Sequence, residues 1–430
     1  MRRVTSAALL GIVVLVTGCL GEGGDSGEGD SAGGEVTVLG IWEGEEADRF
    51  RAVLDAFTEE TGVEVAYEGT RDAETIAVAR VEGGNPPDIG FLPPGLMRSL
   101  AERDAIRSLE DVVDRAALEE TLVPGTLEAG TVDDELIGIP FRVSVKSLVW
   151  HPVPELADAG YEEPATWDEM LAVSEEIRAA GTPPWCLGIG SGASTGWPVT
   201  DWIEDILLRT AGPEAYDRWV AGELPFSSPE VTQAAELFAE IAFTEGNVLG
   251  GRSTIPTQQF GDAPLPLFDD PPGCYLHRQA SFITEFFPED AVLGEDVDFF
   301  YLPPIPAVGE YDGSPVLGAG DYASLFTDNQ GAEQLIQFLA TPEAGEPWAA
   351  DGGFLSPHAT FDASVYPEEL SVEQAEILSG ADAFRFDASD LMPPEVGVGT
   401  FWTEMVAWVN GEKELEDALQ AIDESWPTSG

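Results

Sequence analysis

Lysine is almost missing from this chain: it stands only at positions 146 and 413, and arginine supplies the other cations. Lysine and arginine together number 19 against 80 acidic residues, a formal charge of −61. A surface of that sign repels phosphate backbones, so nucleic acid is excluded as a partner. Histidine is scarce as well, and the three present show no close spacing to a cysteine, so no metal centre is expected. No apolar run reaches the roughly 20 residues of a membrane-crossing helix. No motif calls for a cofactor. Disorder is not implied, because 43% hydrophobic residues and 11 tryptophans are enough to build folded cores. What is there is a folded, acid-coated protein. Its charge suits a host living in high salt, where ions screen the surface's self-repulsion.

The first residues set the compartment. Met1-Arg2-Arg3 is a short basic start, and residues 7–16 are apolar with one glycine. That length reads as a signal peptide over residues 1–18 rather than a span. Val16-Thr17-Gly18-Cys19 resembles the lipobox of bacterial lipoproteins, which implies lipid on Cys19 and attachment to the outer face of a membrane. An ordinary secretory cleavage site with a chance cysteine is the alternative. Residues 21–34 are only Gly, Ser, Glu, Asp and Ala, so 19–35 reads as a flexible tether. Two cysteines remain, Cys186 and Cys274, and an exported protein meets an oxidising environment. A disulfide is expected, with two separately buried thiols as the alternative. Closing its 88-residue separation is worth about 4–5 kcal/mol in the chain-entropy model.

From residue 36 the chain is too long for one core and reads as two lobes. Val36-Thr37-Val38-Leu39 is a strand. Residues 45–61 carry Phe50, Val53, Leu54 and Phe57 at helical spacing and close at Gly62. Residues 63–67 alternate like a strand, and another helical stretch leads to the short strand at 88–92. Alternation at this spacing predicts an α/β fold with mostly parallel sheets, whose ligands sit beyond the carboxyl ends of the strands. Farther on, Thr166-Trp167-Asp168-Glu169 is a capping box opening a helix to residue 180. Residues 299–302 form a strand ending in a double proline, and the last third reads mainly as helices.

Several blocks then fall in a telling order. They are Pro87-Asp88-Ile89, Gly138-Ile139-Pro140-Phe141, Leu148-Val149-Trp150 and Pro164-Ala165-Thr166-Trp167-Asp168-Glu169. Together they resemble the carbohydrate-binding members of the family 1 extracellular solute-binding proteins. Pro184-Trp185-Cys186-Leu187-Gly188-Ile189 with Gly196-Trp197-Pro198 and Asp201-Trp202-Ile203-Glu204-Asp205, then Gly273-Cys274-Tyr275-Leu276-His277-Arg278 and Arg385-Phe386-Asp387-Ala388-Ser389-Asp390, resemble the α-glucoside-binding branch. The resemblance implies a two-lobe, type II periplasmic-binding-protein clamshell without catalysis. It also implies an α-glucoside ligand such as trehalose, sucrose or maltose, and an ABC importer permease as partner. Another solute (a polyol, glucosylglycerol or an oligosaccharide) is the alternative, and a secreted glycosidase is a distant third. With hinge crossings near 140–143, 299–302 and 342, one lobe is expected to hold 36–142 plus 300–341. The other is expected to hold 143–299 plus 342–430, and the receptor to be a monomer.

A sugar site needs flat aromatic faces for ring C–H groups, and carboxylates, amides or arginines for hydroxyls. Position selects the candidates. Trp42 and Glu43 follow the first strand at its carboxyl end. Asp88 precedes a buried strand, where a turn cap is an equal reading. Phe91 lies on that strand, and Arg142 is a lone cation in an extended apolar segment, either at the cleft or in a structural ion pair. The small, polar stretch 190–196 leads into Trp197, with Asp201 opening a helix around residue 201. A phosphate loop is ruled out there by the missing Gly-Lys-Ser/Thr ending. Asp269-Asp270 reads as a sugar-contacting loop beside the cystine rather than a catalytic pair or a calcium ligand set, with Tyr275 next to it and His277 as a packed histidine. Loops at Asp321 and Arg385 complete the candidates.

Overall fold

The computed structural model describes residues 35–305 and 311–427, so the signal peptide, Cys19 and the tether up to residue 34 lie outside the described residues. Eleven strands are described: β1 Val36–Gly40, β2 Val65–Gly69, β3 Ile89–Leu92, β4 Thr131–Val132, β5 Glu135–Leu136, β6 Ile139–Val145, β7 Leu148–Pro152, β8 His277–Arg278, β9 Val297–Tyr301, β10 Pro315–Leu325 and β11 Ala383–Phe386. Two lobes form around two sheets.

The first sheet has the order β11-β10-β3-β1-β2, with β6 also paired to β10. The βαβ grammar gives parallel pairs between β1 and both β2 and β3. The helix Gly44–Thr61 crosses between β1 and β2, burying Phe50, Val53, Leu54 and Phe57, and Gly62 ends it at φ 76°. Glycine has no Cβ to clash in that left-handed turn, and its N–H closes onto the Thr58 carbonyl. β10 is the long member. Pro315–Gly318 runs parallel to β11, while the stretch from Gly318 onward is antiparallel to β6 and then to β3.

The second sheet, β8-β7-β9, is antiparallel throughout. Its lobe is largely helical. Trp167–Ala180, Trp197–Ala211 and Pro229–Ala242 enclose a core that includes Trp185, Trp202, Trp219 and Phe238, together with Phe401. The capping box forms: the Thr166 hydroxyl accepts from the Glu169 N–H at 3.2 Å, and the Glu169 carboxylate accepts from the Ala165 N–H. Cys186 and Cys274 are joined in a disulfide with Cα atoms 5.6 Å apart.

Three segments differ from the sequence expectation. Residues 318–321 and 385 lie in β10 and β11 rather than in loops, because both strands find edges contributed by distant parts of the chain. β11, expected in the second lobe, pairs in the first sheet, and Trp348, Phe354, Leu370 and Leu378 pack into the first core. The chain leaves the first sheet at Lys146 and Ser147, between β6 and β7, rather than at 140–143. The Lys146 N–H donates to Leu317 and the Ser147 carbonyl accepts from Leu302, so this crossing is hydrogen-bonded on both sides.

Candidate functional site

Beyond the carboxyl end of β1, the chain turns through Trp42 into the helix Gly44–Thr61. Trp42 is fully buried and packs on Phe50, Phe91, Phe141 and Trp348. β6 carries Arg142 to the rim of this cluster, its guanidinium 5.5 Å from the Trp42 ring centre and 4.9 Å from that of Trp348. Nε donates to Asp321 on β10 at 2.9 Å and Nη1 to Glu46 at 2.9 Å. A planar cation between two indoles, forked onto two carboxylates, uses what guanidinium offers and ammonium lacks. Burial pushes the Asp321 carboxyl up while Arg142 pulls it down, and the net is upward. The Tyr67 hydroxyl donates to the Trp42 carbonyl at 3.0 Å, and burial holds its proton on.

A second group lies where β6 passes into β7. Lys146, 5% exposed, donates to Asp201 at 3.1 Å and to Asp387. Asp201 belongs to the helix Trp197–Ala211, and Asp387 follows β11 of the first sheet. From the same helix, Glu204 accepts the N–H groups of Ala388 and Ser389 at 3.0 and 3.2 Å. Asp205 binds Arg278 at 2.7 Å and Arg209 at 3.2 Å. Burial lowers the Lys146 pKa, but Asp201 and Asp387 outweigh it and the ammonium stays charged. Burial, reinforced by Asp201, pushes Glu204 up to about 8, and burial also raises Asp387 and Asp390. Asp201, Glu204 and Asp387 bring carboxylate oxygens within 4.8 Å of one another, as a metal site would. The ammonium of Lys146 already bridges two of them.

One short turn lies near both groups. Ser281–Phe286 follows β8 and holds Phe282 6.0 Å from the half-buried Trp197 ring. Three residues on, Glu285 has its pKa raised by burial and by Glu46, against the pull of Arg142. Glu285 thus lies within electrostatic reach of the Arg142–Glu46–Asp321 group, and Phe282 of the same turn lies beside Trp197. Together they offer aromatic faces and carboxylates, while Nε and Nη1 of Arg142 are held by Asp321, Glu46 and the Gly353 carbonyl.

Residues 43–346 match the family model of bacterial extracellular solute-binding proteins. This chain belongs to that family. Solute-binding proteins of this kind are receptors of ABC importers outside the cytoplasm and not catalysts. Two relatives are each 43% identical. The osmoprotective compounds-binding protein GgtB of Synechocystis aligns over 96% of this chain and 97% of its own length. The alpha-glucosides-binding periplasmic protein AglE of Rhizobium meliloti aligns over 92% and 88%. Among solved structures, the bacterial solute receptor AcbH superposes with a TM-score of 0.75 at 16% identity, covering 92% of this chain and 97% of that one. The sugar-binding protein MalE of Xanthomonas citri gives 0.71 at 17%, covering 91% and 96%. Those two likenesses establish the clamshell fold.

Within this solute-binding protein the candidate residues part company. Trp42, Phe91, Arg142 and Asp321 come together in the first group, Trp42 and Phe91 as its packed interior. Trp197 and Asp201 come together in the second. The alternative reading of Asp201, a helix cap, fails: the helix opens at Trp197, not around residue 201, with Pro198 in its first turn, and Asp201 is buried one turn in. Glu43 is exposed and accepts from the Arg71 N–H at 3.4 Å. Asp88 sits at the amino end of β3, where it accepts from both the N–H and the hydroxyl of Thr37 at 2.8 Å; it ties strands together on the side away from the carboxyl ends. Arg385 forms a fork with Asp217 at 2.6 and 2.8 Å, on residues of neither group. Asp269 is exposed, and Tyr275 packs edge-on to Tyr161. His277 is a packed histidine as expected: its Nδ1 bonds the Cys186 carbonyl and burial lowers its pKa to about 4.

Glu46, Lys146, Glu204, Glu285, Trp348 and Asp387 were not singled out from the sequence. Lys146 had a signal, as one of two lysines in an arginine-rich chain. Asp387 lies inside the Arg385–Asp390 block and Glu204 inside the Asp201–Asp205 block. The others are brought in by the fold alone.

Proposed function

We propose that this protein is a lipid-anchored receptor that captures an α-glucoside outside the cell and hands it to an ABC importer, with the solute held between the lobes. The observation that carries the reading is the 43% identity to the alpha-glucosides-binding protein AglE along almost the whole chain. The chemistry of the site supports it. Trp197 and Phe282 supply faces for ring C–H groups, and Glu46, Asp321 and Glu285 supply acceptors for hydroxyls. Hydrogen bonds to charged groups are worth about 1.5–3 kcal/mol each, so a few of them with stacking reach micromolar affinity after ordering and desolvation costs. A solute touching both lobes favours their closed arrangement by population shift. The tether ending in Cys19 keeps the receptor beside its permease, and it acts as a monomer.

An osmoprotective compound is the second reading, favoured by the equal identity to GgtB. The acid-rich composition, suited to a salt-stressed host, fits that reading equally well.

Thermal unfolding in molar salt against trehalose, sucrose, maltose and small polyol glucosides separates the two. A bound solute at a hundredfold excess over Kd stabilises by about 2.7 kcal/mol. The expected result is a shift with an α-linked disaccharide recovered intact. A shift only with a polyol glucoside moves the assignment to the second reading, and no shift with any carbohydrate removes both.

A further inference from the structure

The chain avoids lysine, yet buries one at the crossing between its lobes. At other buried positive sites the same chain uses arginine: Arg209 and Arg278 serve Asp205, and Arg142 serves Asp321 and Glu46. Something about position 146 suits an ammonium instead. Its Nζ is bonded to Asp201 on the helix Trp197–Ala211 and to Asp387 beyond β11, and it also stands 5.4 Å from the centre of the Trp197 ring. A compact charge with rotatable donors can face two carboxylates and an indole at once. A guanidinium can also meet two carboxylates and an indole, as Arg142 does, but as a longer, rigid planar fork it would hold them in a different geometry. The Trp197 ring also meets two apolar neighbours, Phe260 in a T-shaped pair at 5.1 Å and Phe282 tilted at 6.0 Å.

We propose that Lys146 is a positioning residue for solute capture: clamped by Asp201 and Asp387, its ammonium fixes the Trp197 indole as the face on which a sugar ring lies. This rests on the reading of Trp197 as part of the solute cleft. The clamp has three ends in three parts of the fold. Lys146 is on the lobe crossing, Asp201 is on the same helix as Trp197, and Asp387 hangs from the first sheet. The orientation of the stacking face is thereby tied to the arrangement of the lobes. An open indole would otherwise rotate about its χ angles and lose part of its stacking contribution on ordering.

The test uses the full-length protein in molar salt with Lys146→Arg, Trp197→Phe, their double variant, Trp197→Ala, and Lys413→Arg as control. Lys413 pairs with Glu404 away from both groups. The near-ultraviolet circular dichroism band of Trp197, taken as wild type minus Trp197→Phe, is expected to collapse in the Lys146→Arg background without any sugar. Titration calorimetry with the disaccharide that wild type binds best among trehalose, sucrose and maltose is expected to show at least about tenfold weaker binding for Lys146→Arg. The double variant is expected to bind within about twofold of Trp197→Phe alone, because both changes remove one coupled feature. Lys413→Arg is expected to match wild type. If the arginine does not fold, Lys146→Met carries the same two readouts. A Trp197 band that survives substitution of Lys146, or affinity losses that simply multiply, overturns the positioning role. Undiminished sugar binding by Trp197→Ala, which removes the aromatic face, overturns instead the cleft reading on which it rests.

Discussion

The two charged groups flanking the lobe crossing solve the same problem in different ways. Around Arg142 the ions are partly wet: its side chain keeps 20% of its exposure, and Glu46 and Asp321 keep 14% and 17%. Around Lys146 and Arg278 almost nothing is left to solvent. The wet group has a cation held through Nε and Nη1 by two carboxylates and set among aromatic rings. The dry group spans both lobes and holds more carboxylates than its cations can match, so part of that excess is carried as protons. One arrangement suits exchange of partners with a solute, and the other suits holding a geometry.

Breaking the dry group should cost most. Arg278→Met leaves Asp205 and Asp201 facing a lost cation in a buried setting, and a loss of about 3–5 kcal/mol is expected by denaturant unfolding in molar salt. Arg142→Ala, in the wet group, is expected to cost about 1–3 kcal/mol while weakening sugar binding, so calorimetry and unfolding should rank these two variants in opposite orders. If Arg278→Met proves the milder for folding, the contrast between the groups fails.

Protonation sharpens the same contrast. Glu204 holds its proton to about pH 8 in the fold but would release it near its ordinary 4.5 when unfolded. The folded state therefore binds more protons in that window, and this group's contribution to stability declines as pH rises from about 4.5 to 8. His277 and His358, both lowered to about 4 by burial, act in the opposite direction between 4 and 6.5. The difference between wild type and Glu204→Gln isolates the carboxyl: wild type should lose ground to the variant steadily up to about pH 8 and no further. A flat difference would remove Glu204 from the proton account. The smallest effect belongs to a surface pair. Arg385→Ala breaks the fork to the half-exposed Asp217 and should change stability by about 1 kcal/mol or less, leaving sugar affinity untouched.

Local rules made much of the fold legible. Alternation in residues 36–39, the apolar face from Phe50 to Phe57, Gly62 and the Thr166 capping box each act within a few residues, and each appears where the pattern puts it. What escaped depends on partners far away in the chain. A glycine-rich stretch at 318–321 looks like a loop until β6 and β11 supply edges for it. Asp88 has the right neighbours for a cleft residue, but the direction of β3 puts it at the other end of the sheet. Trp42 stands at the expected end, yet Phe50, Phe91, Phe141 and Trp348 close over it, so its role passes through Arg142. In a chain with 80 acidic residues no single carboxylate announces itself. Glu46, Glu204 and Glu285 acquire meaning only from what surrounds them.

The short link between β6 and β7 has a mechanical corollary. Only Lys146 and Ser147 separate the strand of one sheet from the strand of the other, and their main-chain groups are already tied to Leu317 and Leu302. A strap that brief stores no slack. Turning of one lobe against the other is forced at this link into a few adjacent backbone torsions, as at the fulcrum of a pair of tongs. A small rotation there sweeps the distant tips through a wide arc. Dyes attached at those tips would report capture far more loudly than any probe placed beside the solute itself.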